Sequence, residues 1–364
     1  KKNNKYLSLI PLSHSYEHTA GLYLQVDLGS EIYFCEGPEK FSSNLLEIEP
    51  TLTTAVPRIF EVIHDRIKIQ MKSKNFLVKG IFNRSIKIGI KKIHSKMNII
   101  ETIEYYSYGV LIRKKINKQL GGKLRAFVSG GAALNPDIGN FFLALGIKIL
   151  QGYGQTESSP LISANRPDKI RIETVGPAVK GVEARLGDDG ELLVRGDCVM
   201  KGYWKDEKTT GETVIDGWLH TGDIASIDED GFITITGRKK EIIVNSGGDN
   251  IAPARPEASL TFQETIFQAM VEGERRPYLV AIIIPEAEKT SNLSDEDVHT
   301  IISLEVKKAN ESLSSIEKIR KFIIVRDPFS TDNSLLTPTM KVRRHKVKEM
   351  YGELLDDLYG EKRL

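Results

Sequence analysis

The sequence is poor in cysteine, and its apolar runs are short. Cys35 and Cys198 are the only two cysteines, and no spacing around them is typical of a zinc or redox pair. Two isolated cysteines fit a reduced cytoplasm without structural disulfides. The longest apolar candidate, residues 278–285, is far shorter than the roughly 20 residues of a membrane-spanning helix and predicts a buried strand. A Gly-x-x-x-x-Gly-Lys-Ser/Thr loop is also missing, which argues against a P-loop NTPase.

One stretch of the chain is strongly basic. The 364 residues suffice for two or three domains, and 40% apolar and 27% charged residues are ordinary for a soluble globular protein. The net charge of only +2 conceals an uneven distribution. Residues 66–123 contain fifteen Lys and Arg but only two acids, Glu101 and Glu104, so this stretch carries about +13.

Two interpretations of the basic stretch 66–123 stay open. Ile and Leu recur in it at roughly helical spacing, which is typical of solvated amphipathic helices. The same pattern fits a cationic surface that rests on an anionic membrane and meets an amphiphilic substrate there, as in a peripheral membrane protein. No aromatic platform or zinc spacing accompanies the charge, so we do not expect nucleic acid as a partner. The sequence leaves the oligomeric state open.

A compact β-α-β unit is predicted between residues 123 and 150. Residues 124–128 form its first strand, and a Ser-Gly-Gly turn follows. Asn135 caps a helix that has Pro136 at its first position and ends near residue 145, and the second strand covers 147–150. So short a crossover implies parallel strands and an α/β fold.

The sequence pattern changes twice further along the chain. Residues 176–236 contain short strands with Gly and Asp turns, which predicts a β-rich subdomain or a small β-barrel. Beyond residue 238 the pattern is that of a small α+β domain. We therefore expect a large domain over 1–237, with an α/β part (1–175) and a β-rich part (176–237), a hinge at 238–240, and a small domain over 241–364.

Residues 151–157, Gln-Gly-Tyr-Gly-Gln-Thr-Glu, follow a predicted strand and suit a nucleotide. Gly152 and Gly154 let the backbone approach a ligand closely, and Tyr153 offers a flat ring to a base. Thr156 offers a hydroxyl to a phosphate, and Glu157 offers a carboxylate oxygen to Mg²⁺. An ordinary strand-to-helix turn is the alternative. The segment is not a dinucleotide fingerprint, because Glu157 stands where the third glycine would be.

Three further segments downstream suit the same ligand: residues 221–223, 237–240 and 337–341. Asp223, in a Thr-Gly-Asp segment, can accept from two vicinal ribose hydroxyls, and Arg238 offers a rigid donor fork to a ribose or a phosphate. Lys240 lies where the domain pattern changes, as a hinge residue does. Lys341 lies in a Pro/Thr-rich loop. Taken singly, these residues fit a turn, a surface ion pair, a linker and a basic surface.

The segment His14-Ser15-Tyr16-Glu17-His18 matches the inverted zinc-protease pattern H-x-x-E-H. That pattern needs a helical setting and a third ligand from a downstream helix. Here it follows a predicted strand, residues 6–10, and a proline, and no downstream acid has a distinctive spacing. We therefore do not expect zinc at this segment.

In this order and spacing, the segments at 151–157, 221–223, 237–240 and 337–341 resemble the adenylate-forming superfamily. Four further segments resemble the long-chain fatty acyl-CoA synthetases of this superfamily: 57–60 (Pro-Arg-Ile-Phe), 202–204 (Gly-Tyr-Trp), 250–255 and 276–280. The resemblance covers nearly the whole chain. It implies the adenylate-forming fold, with parallel α/β layers, a β-barrel subdomain and a small α+β domain. It also implies that ATP, with Mg²⁺, converts a long-chain fatty acid to acyl-adenylate, which coenzyme A then converts to a thioester.

The resemblance assigns an adenine and acyl-carboxylate pocket to two segments. These are Ser129, Gly130, Gly131, Ala132 and Ala133 in the first, and Gln151, Gly152 and Tyr153 with Gly154 in the second. Tyr153 would stack on adenine, Thr156 would contact the α-phosphate, and Glu157 would hold Mg²⁺. Asp223 and Arg238 would bind the ribose.

The remaining roles implied by the resemblance fall at the two ends of the chain. His14 and Tyr16 would lie near the acyl entry, and we count His14 among the candidate catalytic residues. Lys240 would be the hinge, and Ser246-Gly247 would border the pantetheine channel. Lys341 would bridge the carboxylate and the α-phosphate during adenylation. A mobile small domain would present Lys341 for the first reaction and the 246–247 loop for the second.

The family also has a Ser/Thr/Gly-rich phosphate loop that ends in Pro-Lys upstream of the His14 region, and this sequence does not contain it. The chain then corresponds to the carboxy-terminal two-thirds of such an enzyme, and its activity by itself stays open. Two other readings stay open: an adenylate-forming ligase for another carboxylic acid, and a non-catalytic nucleotide- or membrane-binding fragment. The sequence does not fix the acyl chain length.

Overall fold

The computed structural model describes residues 4–337 and 341–360. Contacts between Cα atoms divide the chain into two compact units, residues 1–235 and 236–364. Among the described residues, no helix is both long and apolar enough to cross a membrane.

A six-stranded sheet forms the centre of the first unit, in the order β2-β1-β3-β4-β5-β6. The strands are β1 Lys5–Ser8, β2 Glu31–Phe34, β3 Leu52–Ala55, β4 Ala126–Ser129, β5 Ile149–Tyr153 and β6 Ser163–Ala164. The first five strands pair in parallel, and β6 pairs antiparallel with β5. The predicted α/β layer with parallel strands is therefore confirmed.

Seven α-helices lie between β1 and β5 in the described chain. They are α1 Leu24–Asp27, α2 Phe41–Ile48, α3 Pro57–Lys72, α4 Phe76–His94, α5 Ile99–Tyr108, α6 Lys114–Gln119 and α7 Pro136–Ala144. π-Helical turns at Glu17–Tyr23 and Gly109–Arg113 lead into α1 and α6. The side chains of Asn75, Asn98 and Asn135 accept from backbone N–H groups at the starts of α4, α5 and α7. Asparagine favours this position because it satisfies donors that a helix leaves unpaired.

The predicted β-α-β unit is present as β4, α7 and β5. Its helix begins at Pro136 behind the Asn135 cap, as the sequence indicates. The second strand runs further than predicted, to Tyr153, because Gly152 and Tyr153 pair with β6 after the pairing with β4 ends.

Aromatic side chains fill the space between the sheet and its helices. Phe60 of α3, Phe127 of β4 and Phe142 of α7 are completely buried. The ring of Phe60 meets the other two edge to face, with centroids 5.3 and 5.9 Å apart. Such pairs contribute about 0.5–1.5 kcal/mol beyond the burial of their area. This packing fixes α3 and α7 against the strands whose ends carry the candidate site.

An antiparallel sheet follows in the chain. Its strands are β7 Val182–Leu186, β8 Glu191–Gly196, β9 Val214–Ile215, β10 Trp218–Ile227 and β11 Ile233–Arg238, with helix α8 Glu207–Thr213 before β9. The order is β11-β10-β8-β7, and β9 pairs with β10. This antiparallel sheet is the β-rich part that the sequence predicted after residue 176.

The second unit is built on a three-stranded sheet of β14, β15 and β16. Its elements are β12 Ile243–Val244, β13 Asn250–Ile251, α9 Ala254–Thr261, β14 Ile266–Glu272, β15 Leu279–Pro285, α10 Ala287–Thr290, α11 Asp295–Ala309, β16 Ile319–Ile324 and α12 Arg344–Asp357. The central strand β15 pairs antiparallel with β14 and parallel with β16. All seven residues of β15 are buried, since apolar clusters cover both of its faces.

Candidate active site

The carboxyl ends of the parallel strands meet along one edge of the six-stranded sheet. Ala55 at the end of β3 is in register with Ser129 at the end of β4, and Ser129 is in register with Gln151 of β5. The predicted segments 129–133 and 151–157 therefore leave the sheet side by side. Ligands of α/β proteins usually bind at such an edge.

The loop 129–133 offers small and accessible residues at this edge. Gly131, Ala132 and Ala133 are exposed. Gly131 has a φ of 84°, a left-handed conformation that favours glycine. Ser129 is buried, and its hydroxyl has no hydrogen-bond partner among the described residues. Because buried hydroxyls are normally paired, this one marks a position where a bound group would find a donor.

Tyr16 packs against the same loop. Its hydroxyl donates to the carbonyl oxygen of Val128 at 3.0 Å, and its N–H donates to Nδ1 of His14 at 3.2 Å. A Cβ atom on Gly130 would lie only 3.1 Å from the Tyr16 ring, so glycine leaves room for that ring. Burial and the neighbouring carboxylate of Glu17 raise the pKa of Tyr16. The candidate residue His14 thus lies at the same edge of the sheet as the loop 129–133.

Glu17 holds the His14 segment to the sheet. Its carboxylate is fully buried and accepts hydrogen bonds from the hydroxyls of Tyr6, Ser8 and Thr54 at 2.7, 2.6 and 2.5 Å. The π-helical turn is thereby tied to β1 and β3. The carboxylate that the H-x-x-E-H pattern would offer to zinc is engaged with three hydroxyls.

Two predicted pocket residues are used in the packing of the protein itself. The side-chain amide of Gln151 is buried, accepts from the N–H of Leu134 at 3.3 Å and donates to the carbonyl of Ile172. A Cβ atom on Gly154 would lie 1.7 Å from the carbonyl oxygen of Pro160. The close approach at Gly154 is therefore to another part of the chain, whereas the sequence predicted the approach of a ligand.

Tyr153 and Asp223 meet although 70 residues separate them. Tyr153 ends β5, and Asp223 lies in β10. The Tyr153 hydroxyl donates to Oδ2 of Asp223 at 2.5 Å, and Asp223 is almost completely buried. The structure thus brings together the predicted base-stacking residue and one predicted ribose ligand.

An irregularity in β10 positions Asp223. In the pairing with β8, His220 lies opposite Leu193, and Ile224 lies opposite Glu191. Four steps along β10 therefore match only two steps along β8, so β10 contains two extra residues between these pairs. Gly222 within this bulge has a φ of 71°. Bulges are common beside functional sites because they redirect a side chain.

Glu191 stabilises the bulge from the neighbouring strand. Its buried carboxylate accepts from the N–H of Gly222 at 2.7 Å and lies 3.3 Å from Nδ1 of His220. The hydroxyl of Thr221 donates to the carbonyl of Leu192 at 2.7 Å. Glu191 was not among the predicted site residues. The proximity of an acid to a Thr-Gly-Asp segment appears only once the two strands pair.

Thr156 and Glu157 lie in a short 3-10 helix after β5. The exposed hydroxyl of Thr156 is 3.3 Å from the hydroxyl of Ser15, so the His14 segment meets this helix as well. The half-buried carboxylate of Glu157 accepts from the hydroxyl of Tyr203 at 2.8 Å. Burial and this carboxylate raise the pKa of Tyr203.

Tyr203 and Ser15 were not among the predicted site residues. Tyr203 lies in the Gly-Tyr-Trp segment at 202–204, whose only signal in the sequence was its resemblance to a family. Ser15 lies between two predicted residues. The available signal was the Gly-Tyr-Trp segment itself for Tyr203, and the position between two predicted residues for Ser15.

Arg238 and Lys240 belong to the second unit. Arg238 ends β11, and its carbonyl oxygen accepts from the N–H groups of Glu241 and Ile242, both at 2.9 Å. This turn carries Lys240, whose side chain is exposed. The role of Lys240 as a hinge and that of Arg238 as a ribose ligand stay predictions.

Ser246 and Gly247 form the tip of the hairpin between β12 and β13, and both are exposed. The N–H of Gly247 donates to Oδ1 of Asn245 at 2.9 Å, which holds the turn. Lys341 is exposed, and its N–H donates to the hydroxyl of Thr337 at 3.0 Å. Residues 338–340 of the predicted Lys341 loop lie outside the described residues.

Comparison with protein families agrees with the family resemblance that the sequence motifs indicated. The AMP-binding enzyme family matches residues 1–204, and the AMP-binding enzyme C-terminal domain matches residues 240–363. The chain belongs to the AMP-binding enzyme family. The resemblance to adenylate-forming enzymes that the motifs indicated is confirmed.

Curated relatives of this AMP-binding enzyme are similar over nearly its full length. The long-chain-fatty-acid–CoA ligase FadD15 of Mycobacterium tuberculosis is 35% identical over 99% of this chain and 63% of its own. The long-chain-fatty-acid–CoA ligase 1 of Cavia porcellus is 31% identical over 98% of this chain and 54% of its own. The chain thus spans about half to two-thirds of the length of these relatives.

Solved structures of adenylate-forming enzymes share the fold of this AMP-binding enzyme. The A domain of carboxylic acid reductase from Segniliparus rugosus, in complex with AMP and a co-purified carboxylic acid, has a TM-score of 0.72 and 26% identity. The match covers 98% of this chain and 54% of that one. The adenylate-forming fold predicted from the sequence is therefore confirmed.

Proposed function

We propose that this AMP-binding enzyme carries the chemistry of a long-chain fatty acid–CoA ligase. In this reaction a fatty acid and ATP give acyl-adenylate and pyrophosphate, and coenzyme A then displaces AMP to form the thioester. The observation that carries the proposal is the convergence of Tyr153, Asp223, Thr156 and Glu157 with the loop 129–133 at one end of the sheet. The ligase names of the relatives at 31–35% identity support a long-chain acyl substrate.

The side chains at this edge match the parts of an acyl-adenylate. The ring of Tyr153 suits adenine, and the Asp223 carboxylate suits the ribose hydroxyls, with Arg238 as a second ribose partner. The Thr156 hydroxyl suits an α-phosphate oxygen. The acyl group would enter past His14 and Tyr16, and the ring of Tyr16 packs on the loop 129–133. The similar A domain of carboxylic acid reductase, which was solved with AMP and a carboxylic acid, supports this assignment.

Adenylation brings two anions together, so it needs positive charge. A carboxylate oxygen forms a bond to the α-phosphorus while the bond to pyrophosphate breaks. The ammonium of Lys341 would lie between the carboxylate and the α-phosphate and stabilise the charge that develops there. In the second step the thiol of coenzyme A loses its proton, its sulfur bonds to the acyl carbon, and the bond to AMP breaks.

Glu157 fits a Mg²⁺ ion as a single protein ligand. Mg²⁺ usually binds one or two carboxylates together with substrate phosphates and waters. Among the described residues, no group of three or more His, Cys, Asp or Glu could hold a metal ion. The hydroxyl of Tyr203 would fix the orientation of the Glu157 carboxylate. When bound, Mg²⁺ supplies charge that neutralises the phosphates.

We also propose a mobile small domain and a peripheral membrane location on the cytoplasmic side. Lys240, in the exposed turn after β11, would be the hinge between residues 1–237 and 241–364. The exposed hairpin tip at Ser246-Gly247 would border the pantetheine channel in the second step. The excess of about +13 in the stretch 66–123 supports contact with an anionic membrane surface.

An assay of the two half-reactions tests the proposal. ATP–pyrophosphate exchange with a panel of acids would measure adenylation, and supplied acyl-adenylate with coenzyme A would measure thioester formation. We expect oleate and oleoyl-adenylate to react and benzoate and its adenylate to fail. Lys341→Ala should lower exchange by about 10²–10³ and spare thioester formation, because the lysine acts in the first step only.

Three outcomes would contradict parts of the proposal. Reaction of short or aromatic acids alone would make the chain a ligase for another carboxylic acid. Equal loss of both half-reactions in Lys341→Ala would contradict the role of that lysine. Silence in both assays, with retained binding of an acyl-adenylate analogue, would favour a non-catalytic nucleotide-binding fragment.

A further inference from the structure

Helix α5 is attached to α4 through its acidic face. Glu101 pairs with Lys91 at 2.6 Å, and Glu104 pairs with Arg84 at 2.8 Å. The centroid of the Tyr105 ring lies 4.1 Å from Nζ of Lys92. A surface helix normally buries its apolar stripe and exposes its charges. Here the charged side chains of α5 face a neighbouring helix.

The opposite face of α5 is apolar and exposed. Ile99, Ile103 and Tyr106 follow one another at helical spacing, and Val110 continues the line in the π-helical turn. Together with Ile100 and Leu111, they form what we call the α5 ridge. Its six side chains are between 58% and 81% exposed. Contiguous apolar surface of this kind marks an interaction site.

Positive charge flanks the α5 ridge along the chain. The exposed residues Lys96, Lys114 and Lys115 lie just before and just after it in the chain. Both acids of the stretch 66–123 are already paired with α4. The ridge therefore presents apolar side chains within a cationic surface, which is the composition of helices that lie in the interface of anionic membranes.

An apolar groove continues the ridge at Leu111. This groove has a volume of about 550 Å³ and lies between the end of α3, the start of α4 and α6. Met71, Val78 and Ile116 are among its apolar lining residues, and Lys74 and Lys115 also line it. A lipid with an acyl chain and an anionic headgroup matches this combination of an apolar groove and ammonium groups.

The ridge is separate from the candidate active site. Its carboxyl end leads through α6 to the start of β4, which is at the amino end of the parallel strands. The candidate site is at the carboxyl ends of those strands. A ligand on the ridge would therefore leave the nucleotide residues accessible.

We propose that the α5 ridge docks onto an anionic lipid bilayer, with its apolar side chains among the lipid headgroups and the lysines against lipid phosphates. A second copy of this chain would bring the same positive charge to the ridge, whereas an anionic bilayer complements that charge. The proposal specifies the element that makes the membrane contact, and it is independent of catalysis because lipid alone suffices to test it.

Vesicle flotation of the whole chain provides the test. We expect binding to vesicles of phosphatidylcholine with about 30% phosphatidylglycerol, weak binding to pure phosphatidylcholine, and loss of binding at high salt. The triple variant Ile99→Ser, Ile103→Ser, Val110→Ser should bind at least about tenfold more weakly. The charge variant Lys96→Glu, Lys114→Glu, Lys115→Glu should lose the preference for anionic vesicles.

A matched control separates the ridge from general surface hydrophobicity. Leu46, Leu186 and Leu304 are also exposed and lie on other elements. Their triple replacement by serine should leave flotation unchanged. Equal binding of the ridge variant and the unmodified chain would overturn the proposal, provided that both have the same circular dichroism and Tm. Absence of vesicle binding, with a dimer that the ridge variant converts to a monomer, would also overturn it and assign the ridge to self-association.

Discussion

At the residue scale, the candidate site depends on contacts between side chains that are distant in sequence. Tyr153 and Asp223 were each predicted to serve a nucleotide, and the structure joins them directly. The residue types and their order were sufficient for that expectation. The bond between them, the support from Glu191 and the contact of Tyr203 with Glu157 depend on strand pairing, which local sequence does not specify.

Gly154→Ala should destabilise the protein. Its Cβ atom would lie 1.7 Å from the carbonyl oxygen of Pro160, so the backbone of one segment must move. We expect a loss of about 1–3 kcal/mol in the free energy of unfolding, as for other overpacked sites. Urea denaturation followed by circular dichroism would measure it.

Gly211→Ala is the matched control for that substitution. Gly211 lies in α8, and no atom within 4 Å would meet an added Cβ. Alanine there should be neutral or stabilise by up to about 1 kcal/mol, because it restricts the unfolded chain and favours the helix. Equal effects at the two positions would contradict the steric explanation.

At the scale of elements, the β-α-β unit was predicted well, because its cap, proline and glycine are local signals. Strand β14 and helix α12 of the second unit were not predicted. Strand β14, Ile266–Glu272, lacks a regular alternation of polar and apolar residues, since it packs on both faces. Helix α12, Arg344–Asp357, follows directly on the Lys341 loop, and its basic start has the composition of a basic surface.

Glu17→Ala should detach the His14 segment from the sheet. Three buried hydroxyls, on Tyr6, Ser8 and Thr54, would lose their common acceptor. Buried polar groups without partners are costly, and we expect a loss of about 3–5 kcal/mol in unfolding free energy. Glu17→Gln should cost less, because it keeps one acceptor oxygen.

Chemical denaturation would compare these variants with Glu47→Ala. Glu47 is an exposed glutamate on α2, and its replacement should change the free energy by no more than about 0.5 kcal/mol. A small effect of Glu17→Ala, comparable to that of Glu47→Ala, would show that the three hydroxyls do not depend on the carboxylate.

At the scale of the whole molecule, the chain consists of two units with separate cores. Two apolar clusters enclose β15, and all their residues lie between 243 and 359. The sequence indicated a change of architecture near residue 238 from local composition. The predicted motion of the small domain stays a prediction, because such a motion depends on how two surfaces fit and not on local sequence patterns.

A fragment of residues 239–364 should fold without the rest of the chain. It starts after β11 ends and contains both apolar clusters. We expect a single cooperative thermal transition, since one buried sheet with helices on it suffices for a domain of this size. Circular dichroism and calorimetry would measure the transition.

The control for that experiment is the same fragment with Ile283→Asp. Ile283 is completely buried in β15, and an unpaired charge there should abolish the transition. A broad, non-cooperative melt of the unmodified fragment would mean that the second unit needs the first one to fold.

The bulge in β10 has a consequence for any attempt to redesign this protein. The register of β10 against β8 shifts by two residues between His220 and Ile224, which corresponds to about 7 Å of strand length. Deleting the two extra residues would make the sheet more regular and, at the same time, carry the Asp223 carboxylate out of reach of the Tyr153 phenol. A regular β10 strand and the contact between Asp223 and Tyr153 are therefore incompatible.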